Sequence, residues 1–104
     1  MDPYHKLVER FQEVQLLRST SAILEWDERT YLPKKGVRYR ANQLSYLTAK
    51  AHLLSTEPVI GEWLAACEQS GYAADSDEAA NLYHWRIEYL REKYGAARRG
   101  KPAA

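Results

Sequence analysis

The 104 residues suffice for one domain with a single modest core, and 45% hydrophobic with 28% charged residues is typical of a globular chain rather than a disordered one. A net charge of +1 gives no overall bias towards nucleic acid, and the chain lacks both a signal-peptide pattern and a run of about 20 apolar residues that could span a membrane. One cysteine, Cys67, excludes an internal disulfide, and we expect a cytoplasmic protein.

The first predicted helix begins at Asp2, which can cap it, and Pro3, which suits the first helical position. It is expected to end near Trp26, because the residue before Pro33 avoids helical geometry. Its apolar residues recur at steps of three and four, which predicts a face turned towards a core. This face comprises Tyr4, Leu7, Val8, Phe11, Val14, Leu17, Ser21 and Leu24, widened by Leu16 and Ile23.

Two further helices are expected before the middle linker. The second begins near Gly36 or Val37 and ends before Pro58, with Val37, Ala41, Leu44, Leu47, Ala51 and Leu54 on its apolar face. The third is short, is capped by Thr56 and ends by Gly71. Its apolar face comprises Val59, Ile60, Trp63, Leu64 and Cys67.

The fourth predicted helix follows a polar linker in which Asp75 or Ser76 can act as the cap, and it is expected to end at Gly95. Residues 96–104 lack core residues and are predicted to be a disordered basic tail, which leaves residues 1–95 as one domain. The expected fold is all-α: a four-helix antiparallel bundle with two long N-terminal helices, one short helix and a C-terminal helix. The fourth helix is expected to bury Ala79, Leu82, Tyr83, Ile87, Leu90 and Tyr94.

Residues 26–33 read Trp-Asp-Glu-Arg-Thr-Tyr-Leu-Pro, Gly36 and Gln43-Leu44 follow, and residues 77–82 read Asp-Glu-Ala-Ala-Asn-Leu. These segments resemble the N-terminal part of the Taq-type thermostable metallocarboxypeptidases. Their order and approximate spacing are those of the family. The resemblance implies helices that form a flap over the groove of an all-helical, generally dimeric enzyme. Such enzymes remove residues from peptide C-termini with zinc or cobalt held by a His-Glu-x-x-His helix.

Departures from the family pattern limit what the resemblance implies for this chain. Leu32 stands where the family usually has Met, and Glu25 where Gly is common. No His-Glu-x-x-His pattern is present, so we predict no catalytic residue, no metal ligand and no cofactor. His84 and Glu88 are four residues apart on one helix, but a stable zinc site needs three or four ligands. Cys67 lies on an apolar face and is interpreted as a small buried hydrophobe.

The loop between the first two helices is the first candidate site. Trp26 is expected to plug the open top of the helical hairpin, while Asp27 and Thr30 satisfy backbone donors at the turn. A surface that contacts a partner is the alternative role. The candidate residues of this loop are Trp26, Asp27, Thr30, Tyr31, Pro33 and Gly36.

Four cations crowd the start of the second helix and form the second candidate site. Basic side chains beside unpaired helix N–H groups can bind an anion or the carboxylates of a partner. A solvated loop with long side chains is the alternative. The four residues are Lys34, Lys35, Arg38 and Arg40.

These patterns lead to three functional hypotheses. The first is a non-catalytic interaction or regulatory module, since a flap region on its own should expose an apolar face that favours association. Its expected partner is a second copy, in a homodimer, or a full-length carboxypeptidase relative. The second is a piece of an active metal-dependent carboxypeptidase. The third, which we regard as unfavourable, is a weak nucleic-acid-associated protein whose binding by so few cations would be salt-sensitive.

Overall fold

The computed structural model describes residues 2–30 and 33–100, with side chains described as far as residue 95. Four α-helices and one 3-10 turn account for most of these ranges, and no strand occurs within them. The all-α prediction is therefore confirmed. The elements are α1 (Pro3–Thr30), a 3-10 turn (Lys34–Gly36), α2 (Val37–Thr56), α3 (Pro58–Glu68) and α4 (Asp77–Gly100).

The helix starts follow the local sequence closely. The backbone N–H of His5 donates to Asp2 Oδ1 at 2.7 Å, which confirms the predicted cap of α1. At the start of α4, the N–H of Ala79 donates to Ser76 Oγ at 3.1 Å, so Ser76 is the cap. The predicted cap at Thr56 is wrong, because Thr56 closes the last turn of α2 by donating its hydroxyl to a backbone carbonyl at 2.8 Å.

The helix ends differ more from expectation. α1 continues four residues beyond Trp26, to Thr30. Gly71 follows α3 with a φ of 73°, a left-handed conformation that glycine adopts without steric cost, as its predicted role at this end requires. α4 runs to Gly100, so the predicted end at Gly95 is wrong and residues 96–100 of the predicted tail are helical. Alanine and arginine after Gly95 are strong helix formers and outweigh the single glycine. Residues 101–104 lie outside the described residues.

α1 and α2 form an antiparallel hairpin. Near the N-terminal end of α1, Arg10 Nη1 donates to the carbonyl of Leu54, close to the end of α2, at 3.0 Å. Near the other end, Arg40 Nη1 donates to the carbonyl of Leu24 at 2.9 Å. The two contacts pair the start of each helix with the end of the other, as predicted for the two long helices.

α3 continues in the direction of α2 instead of reversing it. Arg10 lies 5.3 Å and Lys6 5.9 Å from the ring centre of Trp63, so α3 proceeds towards the start of α1. At 1.5 Å per residue, α2 and α3 together are about 46 Å long, which matches the roughly 42 Å of α1. α2 and α3 therefore form one leg of the fold beside α1, interrupted at Glu57.

α4 runs parallel to α1. The side chain of Asn81 donates to the hydroxyl of Tyr4 at 2.9 Å, and one to two turns further on the rings of Trp85 and Phe11 stack with centroids 5.5 Å apart. The four helices thus form three legs, with α1 and α4 pointing one way and α2 and α3 the other. Strict alternation of direction, as the predicted bundle implied, does not occur between α2 and α3.

The main core lies where α1, α3 and α4 meet. Leu7, Ile60 and Leu64 are each 0% exposed there. Gly61 allows close packing, because a Cβ at this position would lie 3.2 Å from the hydroxyl of Tyr89. A smaller cluster of Val14, Ala51 and Leu54 joins α1 to α2. The buried members of the main core are Leu7, Phe11, Ile60, Leu64, Cys67, Leu82 and Tyr89.

The predicted core face of α1 is confirmed for its central row of side chains, but the buried face is narrower around the helix than expected. Leu7, Phe11 and Val14 are buried, whereas Leu16 and Ile23 are each 66% exposed. The predicted widening by these two residues is wrong. Leu16 and Ile23 lie on the side of α1 that faces away from α2 and α3, and no other described helix covers them there.

The predicted core face of α4 is wrong over most of its length. Leu82 is buried as expected, but Trp85 and Tyr89 are the other side chains that pack inward. The ring of Trp85 lies 5.4 Å from that of Tyr4 as well as against Phe11, and these aromatic contacts set the rotation of the helix. The residues predicted to be buried but found exposed are Tyr83, Ile87, Leu90 and Tyr94.

Candidate functional site

The loop motif lies at the open end of the α1–α2 hairpin. Thr30 Oγ1 donates to the carbonyl of Trp26 at 3.0 Å, so it closes the last turn of α1, and no backbone N–H within the described ranges donates to it. Trp26 is 59% exposed and therefore does not plug the hairpin as predicted. The N–H of Gly36 donates to the carbonyl of Pro33 at 2.9 Å, which fixes the 3-10 turn. Tyr31 lies outside the described residues.

Asp27 and Arg40 join the two helices below this loop. Arg40 Nη1 donates to Asp27 Oδ2 at 2.9 Å and its Nε donates to Gln43 Oε1 at 3.0 Å. The arginine side chain is only 15% exposed, against 40% for the aspartate. Asp27 accepts from this guanidinium, and among the described residues no backbone donor reaches its carboxylate. The pair is a structural link, and Nε and Nη1 of Arg40 are both engaged within the chain.

The other three predicted cations remain on the surface. Lys34, Lys35 and Arg38 are exposed, and within the described ranges no hydrogen bond or ion pair joins their side chains to another residue. α2 also begins without a side-chain cap. Binding of an anion or of acidic side chains by these three residues stays a prediction. It no longer includes Arg40.

A cleft of about 710 Å³ opens between α1, α2 and α4, and no local sequence pattern indicates it. Arg18 pairs with Glu88 and lies 3.5 Å from Glu92, whose carboxylate also lies 3.1 Å from Nδ1 of His52. The hydroxyl of Ser21 is buried there without a partner among the described residues. These residues come from three stretches of the chain that are at least 31 positions apart, so local spacing could not bring the stretches together. Contacts among Arg18, His52, Glu88 and Glu92 tie three helices together.

The described residues do not fit a catalytic metal ion. No three His, Cys, Asp or Glu side chains within the described ranges gather closely enough to hold one. Glu88, one of the pair considered from the sequence, is bound to Arg18 while His84 points to the surface.

No helix of the described part combines the length and apolarity that crossing a membrane requires.

Cys67 is a core residue, as predicted, with 1% exposure. Burial above all, and then the nearby carboxylates of Asp2 and Glu68, raises the pKa of its thiol above the ordinary value. Because the thiolate is the reactive form, this environment disfavours a nucleophilic role.

A stripe of apolar side chains remains on the side of α4 that faces away from both core clusters. Exposure is 66% for Tyr83, 37% for Ile87, 37% for Leu90 and 60% for Tyr94. Steps of three and four between them are those of the a and d positions of a heptad repeat. We call this surface the α4 seam: Ala80, Tyr83, Ile87, Leu90 and Tyr94.

The positions that border the α4 seam carry basic residues. In the same heptad frame, the flanking e and g positions from residue 84 to residue 93 are His84, Arg86, Arg91 and Lys93, with no carboxylate among them. Beside the seam, a groove of about 260 Å³ runs between α3 and α4, bordered by Tyr72 and Tyr83. The sequence pattern predicts that the large apolar residues of the α4 seam are buried in the core, but they are exposed.

Comparison with known proteins identifies the relatives of this chain. Residues 6–99 match the family described as carboxypeptidase Taq (M32) metallopeptidase. The chain is 41% identical over 92 residues to thermostable carboxypeptidase 1 of Thermus thermophilus. That alignment covers 86% of this chain but 18% of the relative. The chain thus spans about a fifth of the length of the curated relative it matches.

Proposed function

Because this chain belongs to the carboxypeptidase Taq (M32) metallopeptidase family, we propose that it is a non-catalytic helical module that binds the body of a carboxypeptidase. The exposed α4 seam is the single observation that carries this proposal. Apolar side chains in a continuous exposed row mark a surface that another protein covers. The relative of Thermus thermophilus has more than four fifths of its length outside the matched segment, which provides ample structure for such a surface.

A non-catalytic role is supported by what the described side chains offer. No group of three potential metal ligands is present within the described ranges, and the thiol of Cys67 is buried. The ionisable groups of the cleft are engaged with one another, as the contact between His52 and Glu92 illustrates. Binding is therefore the activity that these residues support, in a protein we expect in the cytoplasm.

One alternative has an observation in its favour. The 41% identity to a segment of a much longer carboxypeptidase also suits a piece of an active enzyme. Both hypotheses require these helices to contact a carboxypeptidase body. They differ in the consequence of that contact: a regulatory module lowers the activity of an intact enzyme, whereas a piece of an enzyme completes one.

The test uses thermostable carboxypeptidase 1 of Thermus thermophilus, both intact and without the segment that matches this chain. Each form is mixed with the purified chain, complex formation is measured by sedimentation velocity, and peptidase activity is followed in parallel. We expect a one-to-one complex with the truncated body. A tenfold excess of the chain should also reduce the activity of the intact enzyme by displacing its own matching segment.

Restored activity of the truncated body, without any effect on the intact enzyme, would favour the alternative. A chain that binds neither form, or that pairs only with itself, would overturn the proposal. Circular dichroism establishes that the truncated body is folded. If it is not, the decision rests on the intact enzyme: inhibition supports the proposal, and no effect at tenfold excess contradicts it.

A further inference from the structure

From the charge around the exposed stripe, we propose that the α4 seam docks one amphipathic helix whose own apolar row is bordered by carboxylates. This inference deepens the proposed function and rests on it, because it names the surface of the module and the chemistry of its partner. The evidence is the spacing of the seam, its exposure and the sign of the charges beside it.

The spacing of the seam fits a helix. From Tyr83 to Tyr94 the steps are four, three and four residues, so the side chains form one narrow row along more than three turns of α4. A row of this width receives the a and d side chains of a second helix between its own. The 260 Å³ groove beside Tyr83 adds a recess for one large side chain of that helix.

The flanking charges specify an acidic partner. Arg91 is exposed and forms no ion pair with any residue in the described ranges. On the other side of the seam, Arg86 pairs with Glu68 of α3, and Lys93 Nζ lies 3.3 Å from the hydroxyl of Tyr89. Both of these cations are thereby held beside the seam, and because Glu68 offsets the charge of Arg86, the uncompensated positive charge comes from Arg91 and Lys93. Charges at e and g positions determine which helices pair, so carboxylates on the partner are favoured.

A second copy is a poor occupant of this surface. In an antiparallel pair of α4 helices, Arg86 of one copy would approach Lys93 of the other. In a parallel pair, Arg86 would approach Arg91 of the other copy. Like charges at these distances destabilise a helical pair. The predicted homodimer therefore gains no support from α4.

An anionic membrane is disfavoured by the shape of the apolar surface. A helix that lies in a membrane interface has a broad apolar face that sinks between the headgroups. The exposed row here is one side chain wide, with cations on both sides and the hydroxyls of Tyr83 and Tyr94 at its two ends. Such a row is better covered by one helix than by lipid.

The binding test uses two synthetic helical peptides of three heptads. Both have leucine and isoleucine at a and d; one has Glu at e and g, the other Lys. Each peptide is labelled with fluorescein and titrated with the full chain while fluorescence anisotropy is recorded. We expect the Glu peptide to bind about tenfold more tightly, from several weak surface ion pairs. Raising the salt from 50 to 500 mM should narrow that ratio, since exposed charges are screened.

Two matched variants locate the binding surface. Ile87→Gln with Leu90→Gln should weaken binding of the Glu peptide more than tenfold. Leu16→Gln with Ile23→Gln removes equally apolar but more exposed side chains from α1 and should leave binding unchanged. Circular dichroism shows that both variants keep the fold. Arg91→Glu alone should reduce the preference for the Glu peptide two- to threefold, because it reverses one charge that has no partner in the chain.

Several results would overturn the inference. These are equal binding of the two peptides, the same loss with both double variants, binding to phosphatidylserine vesicles without peptide binding, and a dimer of the chain that Ile87→Gln with Leu90→Gln abolishes. The same double variant separates this inference from the proposed function. If it binds the truncated carboxypeptidase as well as the unchanged chain does, the α4 seam is not the docking site, although the module still binds a carboxypeptidase.

Discussion

The two halves of the molecule are stabilised in different ways. In the three-leg body, formed by residues 2–14 and 51–95, side chains of α1, α3 and α4 exclude water from a shared core. The hairpin arm, residues 15–50, contains the remaining parts of α1 and α2 and the 3-10 turn between them. Among its described residues none is buried, although Leu17, Leu24, Leu44 and Leu47 are half-buried.

The difference shows that two helices alone cannot close a core. A side chain between two cylinders is covered on two sides, and complete burial requires a third element. In the described part of the arm α4 contributes polar contacts, those of Glu88 and Glu92 with Arg18, and no apolar cover. Large apolar residues therefore stay exposed, and polar contacts such as the pair of Asp27 and Arg40 hold the helices together. The exposed large residues of the arm are Leu16, Ile23, Trp26, Val37, Tyr39 and Tyr46.

The largest effect should come from opening a cavity in the body. Leu64→Ala removes a side chain that is 0% exposed, and we expect the free energy of unfolding to fall by about 2–5 kcal/mol. Leu16→Ala is the matched change in the arm, where the side chain is 66% exposed, and it should cost less than about 0.5 kcal/mol. Urea denaturation followed by circular dichroism measures both. Similar losses in the two variants would show that the arm is covered in solution.

A smaller and more local effect should follow from breaking the link in the arm. Arg40→Ala leaves the carbonyl of Leu24 and the partly exposed carboxylate of Asp27 without this donor, at a cost of about 1–2 kcal/mol. Hydrogen exchange should show faster exchange of the arm amides while the amides of the body keep their protection. Arg38→Ala, on the exposed neighbouring surface, is the control and should leave both unchanged. Equal loss of protection in arm and body would mean that the two halves unfold together.

Much of the body could be predicted from the sequence because its signals are local. The cap at Asp2 and the apolar period of α1 depend on residues within a few turns of each other. α4 shows where this approach fails. It carries two apolar rows, one with Leu82 and Tyr89 and one with Ile87 and Leu90, and periodicity alone cannot tell which is inside. The contact of Trp85 with Phe11, which decides it, joins residues that are far apart in the sequence.

The candidate site was predictable in its residue types and not in their partners. Arg40 belongs to a visible run of cations, yet its link to Asp27 depends on how two helices pair across the hairpin. The α4 seam was visible as a pattern, and its exposure became apparent only when the rotation of α4 was known. In both cases the local pattern identified the side chains, and the tertiary arrangement determined what they contact.

The smallest predicted effect depends on pH and concerns the body alone. In the folded chain burial raises the pKa of the Cys67 thiol, so the unfolded chain loses this proton first as the pH rises. Above the ordinary thiol pKa of about 8.5, the folded chain therefore binds more protons than the unfolded chain, and stability falls with increasing pH. Urea denaturation at pH 7.0 and at pH 9.5 should show this loss in the unchanged chain and a weaker dependence in Cys67→Ala, which has no thiol. Parallel pH dependence in the two chains would assign the loss to other groups, and would place the thiol in contact with water despite its position in the core.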